Sequence, residues 1–133
     1  MAITINGQNN SVNNSSGGNV TINDYVADNI GNLRSLGVNS RSSSYTLTST
    51  DVGKVIITTT GGIIVPSGIF SAGQTIVICN NSGSSQTITQ GSGITMYLGG
   101  IGATGDRTLS LYGIATVLCV TSNTFVITGT GLT

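Results

Sequence analysis

Histidine, glutamate and tryptophan are absent from this chain, and its 133 residues include a single proline. Its charged residues are four Asp, three Arg and one Lys. General acid–base catalysis needs a group that titrates near the working pH, a part usually taken by His or a tuned Glu. A chain with neither is poorly equipped for that chemistry, and no catalytic, cofactor-binding or metal-ligating residue is expected. Charged residues make up 6% of the sequence, against about 25% in an average globular domain, and the formal net charge is zero. Little charge holds copies apart in solution, which suits a protein that lives inside an assembly.

The scarcity of charge also bears on partners. Arg34, Arg41, Lys54 and Arg107 are scattered, so no basic patch offers the several phosphate contacts that nucleic acid takes. No apolar run approaches the ~20 residues of a spanning helix. The opening Met1-Ala2-Ile3-Thr4-Ile5-Asn6-Gly7 has neither the basic nor the apolar part of a signal peptide. Neither nucleic acid nor a membrane is an expected partner. Cys79 and Cys119 each sit in an apolar run, Ile76–Cys79 and Val117–Val120. They are expected to be buried free thiols packing as small hydrophobes, with a disulfide between neighbouring strands as the alternative.

Strand patterns fill most of the chain. Residues 1–44 differ: two short alternating pieces, Ile3–Ile5 and Val20–Ile22, flank the polar tract Gln8–Gly18. Asp24–Leu33 could make one or two helical turns ended by Gly31, and Gly37–Ser44 reads as a loop. Residues 1–44 therefore read as an extended arm that contacts other subunits. From Tyr45 to residue 133 the pattern is a β module. Short alternating segments lie at Tyr45–Thr48, Val55–Thr59, Ile63–Val65, Thr75–Cys79, Gln86–Thr89, Ile94–Leu98, Arg107–Tyr112, Ala115–Val120 and Thr124–Ile127. Thr60-Gly61-Gly62 between two of them is a hairpin signal, and Pro66 stops the next. The expected fold is all-β, a small antiparallel β-sandwich or barrel with an extended N-terminal arm. Val55–Ile57 and Ile76–Cys79 are apolar on both faces, so a second sheet or another subunit should cover the outer one.

Several motifs dissolve on inspection. Gly100-Ile101-Gly102-Ala103-Thr104-Gly105 spells G-x-G-x-x-G, but a strand pattern follows where a dinucleotide site needs a helix, and no acidic residue follows Asp106. Asp24, Asp28, Asp51 and Asp106 are too dispersed for a carboxylate pair or a calcium loop and suit caps and turns. Lys54 is the one candidate base for the many Ser and Thr hydroxyls, and nothing marks it out. The sequons Asn19-Val20-Thr21 and Asn80-Asn81-Ser82 follow from composition. Tyr25, Tyr45, Phe70, Tyr97, Tyr112 and Phe125 are spread out, as core and rim residues would be.

A run of local signatures does resemble a known module. It comprises Thr48-Ser49-Thr50-Asp51-Val52-Gly53-Lys54-Val55-Ile56, Val65-Pro66-Ser67-Gly68-Ile69-Phe70-Ser71-Ala72-Gly73-Gln74-Thr75-Ile76, Gly91-Ser92-Gly93-Ile94-Thr95, Gly113-Ile114-Ala115-Thr116 and Ser122-Asn123-Thr124-Phe125-Val126-Ile127-Thr128-Gly129. This order is similar to a β-rich module of virion structural proteins of tailed bacteriophages, found in tail-fibre-like and capsid-associated chains. Phe125 stands where that module often has Trp. The resemblance covers about residues 45–129 and brings no catalytic residue with it. It implies a virion component, made in the host cytoplasm and present in many copies. A length of 133 residues holds one module and one arm, as expected of a capsid decoration (cement) protein that binds and stabilises the phage head. The alternative is a tail-fibre or receptor-binding module that recognises host surface glycan. The expected partners are the phage major capsid protein or other virion proteins, and the chain itself as a homotrimer.

Overall fold

The computed structural model describes residues 35–133. Residues 1–34 lie outside the described residues, and with them the helical turn expected over Asp24–Leu33, Asp24, Asp28, Tyr25, Arg34 and the Asn19 sequon. The described chain is all-β, as the alternation predicts. Nine strands follow in order: β1 (Gly37–Arg41), β2 (Tyr45–Thr46), β3 (Lys54–Thr58), β4 (Ile63–Val65), β5 (Thr75–Asn80), β6 (Gln86–Gln90), β7 (Thr95–Leu98), β8 (Arg107–Thr121) and β9 (Thr124–Leu132). A single 3-10 turn, Ser49–Asp51, precedes β3.

The pairing directions depart from the antiparallel expectation. Five of the pairings are parallel: β1 with β3, β3 with β5, β2 with β4, β4 with β6, and β7 with β9. Only the pairs made by β8, with β5, β6 and β9, are antiparallel. The physical reason is that the chain winds. It runs along one wall (β1, β3, β5), turns a corner and returns along the other (β2, β4, β6). Each full coil brings it back one strand further on, so Gly37 lies beside Lys54 and Val55 beside Val77. Parallel neighbours need a crossover of a dozen or more residues, and here the opposite wall supplies it in place of a helix.

Strand β8 then closes the coil from below. Its second half pairs with β5 (Cys79 beside Ile114) and its first half with β6 (Gln86 beside Leu109). One sheet, ordered β1-β3-β5-β8-β6-β4-β2, is thereby doubled over β8. What alternation reads as two strands, Arg107–Tyr112 and Ala115–Val120, is this single strand with a bend.

The hairpin expected at Thr60-Gly61-Gly62 is a corner instead, because β3 and β4 lie in different walls. Corners stack as strands do. Thr59 N–H donates to Arg41 O at 2.9 Å, and Asn81 N–H to Thr58 O at 2.9 Å. The stack explains the glycine pair. Gly61 has φ +89°, and a Cβ there would lie 2.1 Å from Ser44 N in the corner above. At Gly62 it would lie 2.6 Å from Thr87 O in the coil below. The loop expected over Gly37–Ser44 holds β1, whose alternation carries polar residues that propensity alone reads as loop.

The core fills the space between the walls. Ile56, Ile78 and Ala115 point in from one side, and Ile63, Ile88 and Leu109 from the other, all buried. Phe125 is wholly buried and meets Phe70 edge to face at 6.0 Å. Such an aromatic pair adds about 1 kcal/mol beyond its buried area.

Candidate interaction surface

Because Ile56 and Ile78 face inward, their neighbours face out, and those neighbours are also apolar. The register places Val38, Val55, Val77, Thr116 and Thr128 in one row across β1, β3, β5, β8 and β9. The next row is Ser40, Ile57, Cys79, Ile114 and Thr130. Leu118 and Val126 begin a third. None of these positions is charged. Val38 is 61% exposed and Ile114 51%. Taking ~4.8 Å per strand and ~3.3 Å per residue, the five-strand face spans about 24 Å by 15 Å in projection, near the size of patches that mark interaction sites.

This face ends at a corner with two further features. Strand β8 bends between Leu109, the last residue in register with β6, and Ile114, the first in register with β5. Tyr112 sits in that bend at φ +54°, the one non-glycine residue with positive φ among the described residues. A left-handed backbone costs an L-residue about 1–2 kcal/mol, and strain of this kind gathers at functional positions. The bend exposes Tyr112 (67%) and Leu111 (53%). Asn80 fixes it: its Nδ2 donates to Leu109 O at 3.1 Å, Ser110 O at 2.9 Å and Ser84 O at 2.8 Å. Asn80 is therefore buried and committed to the bend, not a free sequon.

Beside the bend, at the ends of β1 and β3, lies an open cavity of about 230 Å³ lined by Ser40, Arg41, Ser42, Ile57, Thr59 and Asn81. Ile57 gives it an apolar wall, and the hydroxyls and the Asn81 amide give it hydrogen-bonding groups.

The described charges are mostly occupied elsewhere. Asp51, expected in a turn, is wholly buried at the open end of the coil. It accepts from Asn39 Nδ2 at 2.7 Å, Tyr45 OH at 2.8 Å, Thr48 N–H at 2.8 Å and the Thr48 hydroxyl at 3.1 Å. Burial pushes its carboxyl up, but the donors from Thr48, Tyr45 and Asn39 outweigh it and hold the group below its ordinary value. The Arg41 guanidinium stacks on the Tyr45 ring at 3.8 Å. Asp106 accepts from Gln90 N–H at 2.8 Å, and Arg107 is buried and donates to Ala103 O at 2.6 Å. No group of three or more metal-binding side chains occurs among the described residues, and no helix there is long and apolar enough to cross a membrane.

Both cysteines are free. Cys119 is buried, as expected, and its Sγ lies 3.0 Å from Thr121 O. Burial pushes its thiol up. Cys79 corrects the expectation. It is only half-buried, because Ile78 and Asn80 take the inward positions on either side of it. The Gly100–Gly105 loop opens directly into β8 with no helix. The aromatics divide: Phe70 and Phe125 are core, whereas Tyr97 and Tyr112 are exposed. Alternation missed the exposure of Leu111, since it shares parity with buried Leu109 and Ala115. The only trace in the sequence is Gly113 in mid-strand, a common mark of a bend. No protein-family model matches the chain, and no curated protein matches it.

Proposed function

We propose that this chain is a non-enzymatic structural component of a tailed-bacteriophage virion, a capsid decoration protein that binds and stabilises the head. The observation that carries this reading is the uncharged outer face of β1, β3, β5, β8 and β9, where Val38, Ile114 and Leu118 are exposed among threonines and a serine and no position carries charge. A face of this kind gains by being covered. The two described carboxylates are held by donors from their own chain, which supports binding over proton transfer as the task. The resemblance to virion modules supplies the setting: the partners are the phage major capsid protein and further copies of this chain. The homotrimer expected from that resemblance is one form such self-association could take. The geometry of the β8 corner favours a two-fold pair.

Immunolabelling of purified virions with antibody against this chain tests the reading. Label over the head, with loss of head stability on removal of the protein, is the expected result. Label at the tail would replace it with a fibre or receptor-binding role, and no label on virions would refute it.

A further inference from the structure

We propose that two copies of this chain pair face to face across the β8 corner, their strands running the same way and their strand orders reversed, with Tyr112 of each copy seated in the cavity of the other. The proposal rests on the self-association in the reading above, but not on which particle the protein serves.

The cavity suits an aromatic ring. Its volume of about 230 Å³ exceeds the about 150 Å³ that houses a benzene molecule in an engineered protein cavity. Ile57 can pack against the ring. Ser40, Ser42, Thr59 and Asn81 can satisfy a phenol hydroxyl, which seeks a partner when buried. The protrusion suits the cavity. Tyr112 is held out from β8 on a left-handed backbone, and Asn80 pins the bend through the Leu109 and Ser110 carbonyls. A side chain positioned in this way loses little freedom on binding, and Tyr is among the residues that dominate interfaces.

The spacing suits a two-fold axis. The cavity centres on the end of β3, Tyr112 stands on β8, and β5 lies between those strands. Protrusion and cavity are thus about 10 Å apart, two strand spacings. An axis through β5, perpendicular to the strand stacking and lying in the interface plane, places each protrusion over the other copy's cavity at once. That is the reciprocity of a closed isologous contact. The surrounding rows carry no charge, so they add no like-charge repulsion; the one cation of the cavity wall, Arg41, already stacks on Tyr45 of its own chain. Half-buried Cys79 lies on β5 in the same row as Ile57 and Ile114. Its two copies would therefore flank the axis.

Light scattering on the full chain, combined with a short bismaleimide cross-linker, tests the pairing. The unmodified protein is expected to show a two-protomer mass at micromolar concentration and to cross-link into a dimer. Cys79→Ser should abolish the cross-link and Cys119→Ser should leave it. Tyr112→Gly removes the ring while suiting the left-handed backbone, so the fold is kept. It should shift dissociation to at least tenfold higher concentration and lose the cross-link, whereas Tyr112→Phe should retain both. Ser40→Trp, which fills the cavity, should act like Tyr112→Gly. A one-protomer or three-protomer mass for the unmodified chain, or a Tyr112→Gly dimer as stable as the original, would overturn the proposal. Virions whose heads are labelled although the chain is monomeric would keep the decoration role and remove only the pairing.

Discussion

Gly61→Ala separates the wound architecture from the hairpin that the sequence suggests. Gly61 has φ +89°, and Gly73 has φ +88° with nothing within 4 Å of a built Cβ. The two positions thus share a backbone conformation and differ in what lies beside it. At Gly73 an alanine meets only the left-handed penalty, about 1–2 kcal/mol, partly offset by about 0.4–1 kcal/mol of unfolded-state entropy. At Gly61 the same terms apply, and the methyl group also falls 2.1 Å from Ser44 N and 2.4 Å from Ser43 C. These are backbone atoms of the neighbouring corner and cannot rotate away. Relieving the overlap means parting two stacked coils, for which an overpacking cost of about 1–3 kcal/mol is the scale. Urea unfolding followed by circular dichroism should therefore find Gly61→Ala about 2 kcal/mol less stable than Gly73→Ala. Equal losses would mean that the Gly61 corner does not rest on Ser43–Ser44, as in a solvent-exposed hairpin turn, and the coil would be wrong.

Other expectations follow from the polar groups and the core. Asp51 has a folded-state value below its unfolded one, so its stabilisation is full above about pH 4, the ordinary aspartate range, and fades as pH falls through the folded value. Asp51→Asn should lower stability at pH 7 by about 2 kcal/mol and narrow the gap to the parent in acid; a gap independent of pH would refute the linkage. Asn80→Ala removes the donor shared by two carbonyls at the β8 bend and one in the turn after β5 and should cost about 2 kcal/mol, with faster amide exchange around residues 109–113 as its local sign. Phe125→Ala, at a wholly buried ring, should cost about 3–5 kcal/mol, and a loss under 1 kcal/mol would contradict the core assignment. Under conditions where the chain is monomeric, a maleimide should label Cys79 well before Cys119, and equal rates would mean that Cys119 is not shielded as its burial requires.

The bend at Ser110–Gly113 shows where sequence pattern ran out. Leu109, Ala115, Val117 and Cys119 are buried at period two along β8. Leu111 shares their parity and is nevertheless exposed. The alternation cannot register that β8 changes partners, from β6 to β5, between Leu109 and Ile114. Cys79 was misjudged for a related reason. A run apolar on both faces does not say which face is covered, and the inward places went to Ile76 and Ile78. The cavity was invisible because Ser40, Ile57 and Asn81 belong to three successive coils.

The sequence by itself determined the all-β class, since β-branched residues at period two, punctuated by glycine, leave no helical period to compete. It also determined that no His or Glu is there to titrate near neutral pH, because composition bounds chemistry whatever the fold, and it showed the apolar two-faced strands from which an interaction surface could be anticipated. Only the tertiary structure decided that the strands wind in parallel instead of doubling back. A Gly-Gly corner between two walls and a hairpin turn need the same left-handed residues, and they differ only in what lies across the gap: Ser44 and Thr87 here, not a neighbouring strand of the same hairpin. Strand direction, the exposure of Tyr112 and the cavity beside it all follow from that choice, which is made by contacts between coils and not by any local run of residues.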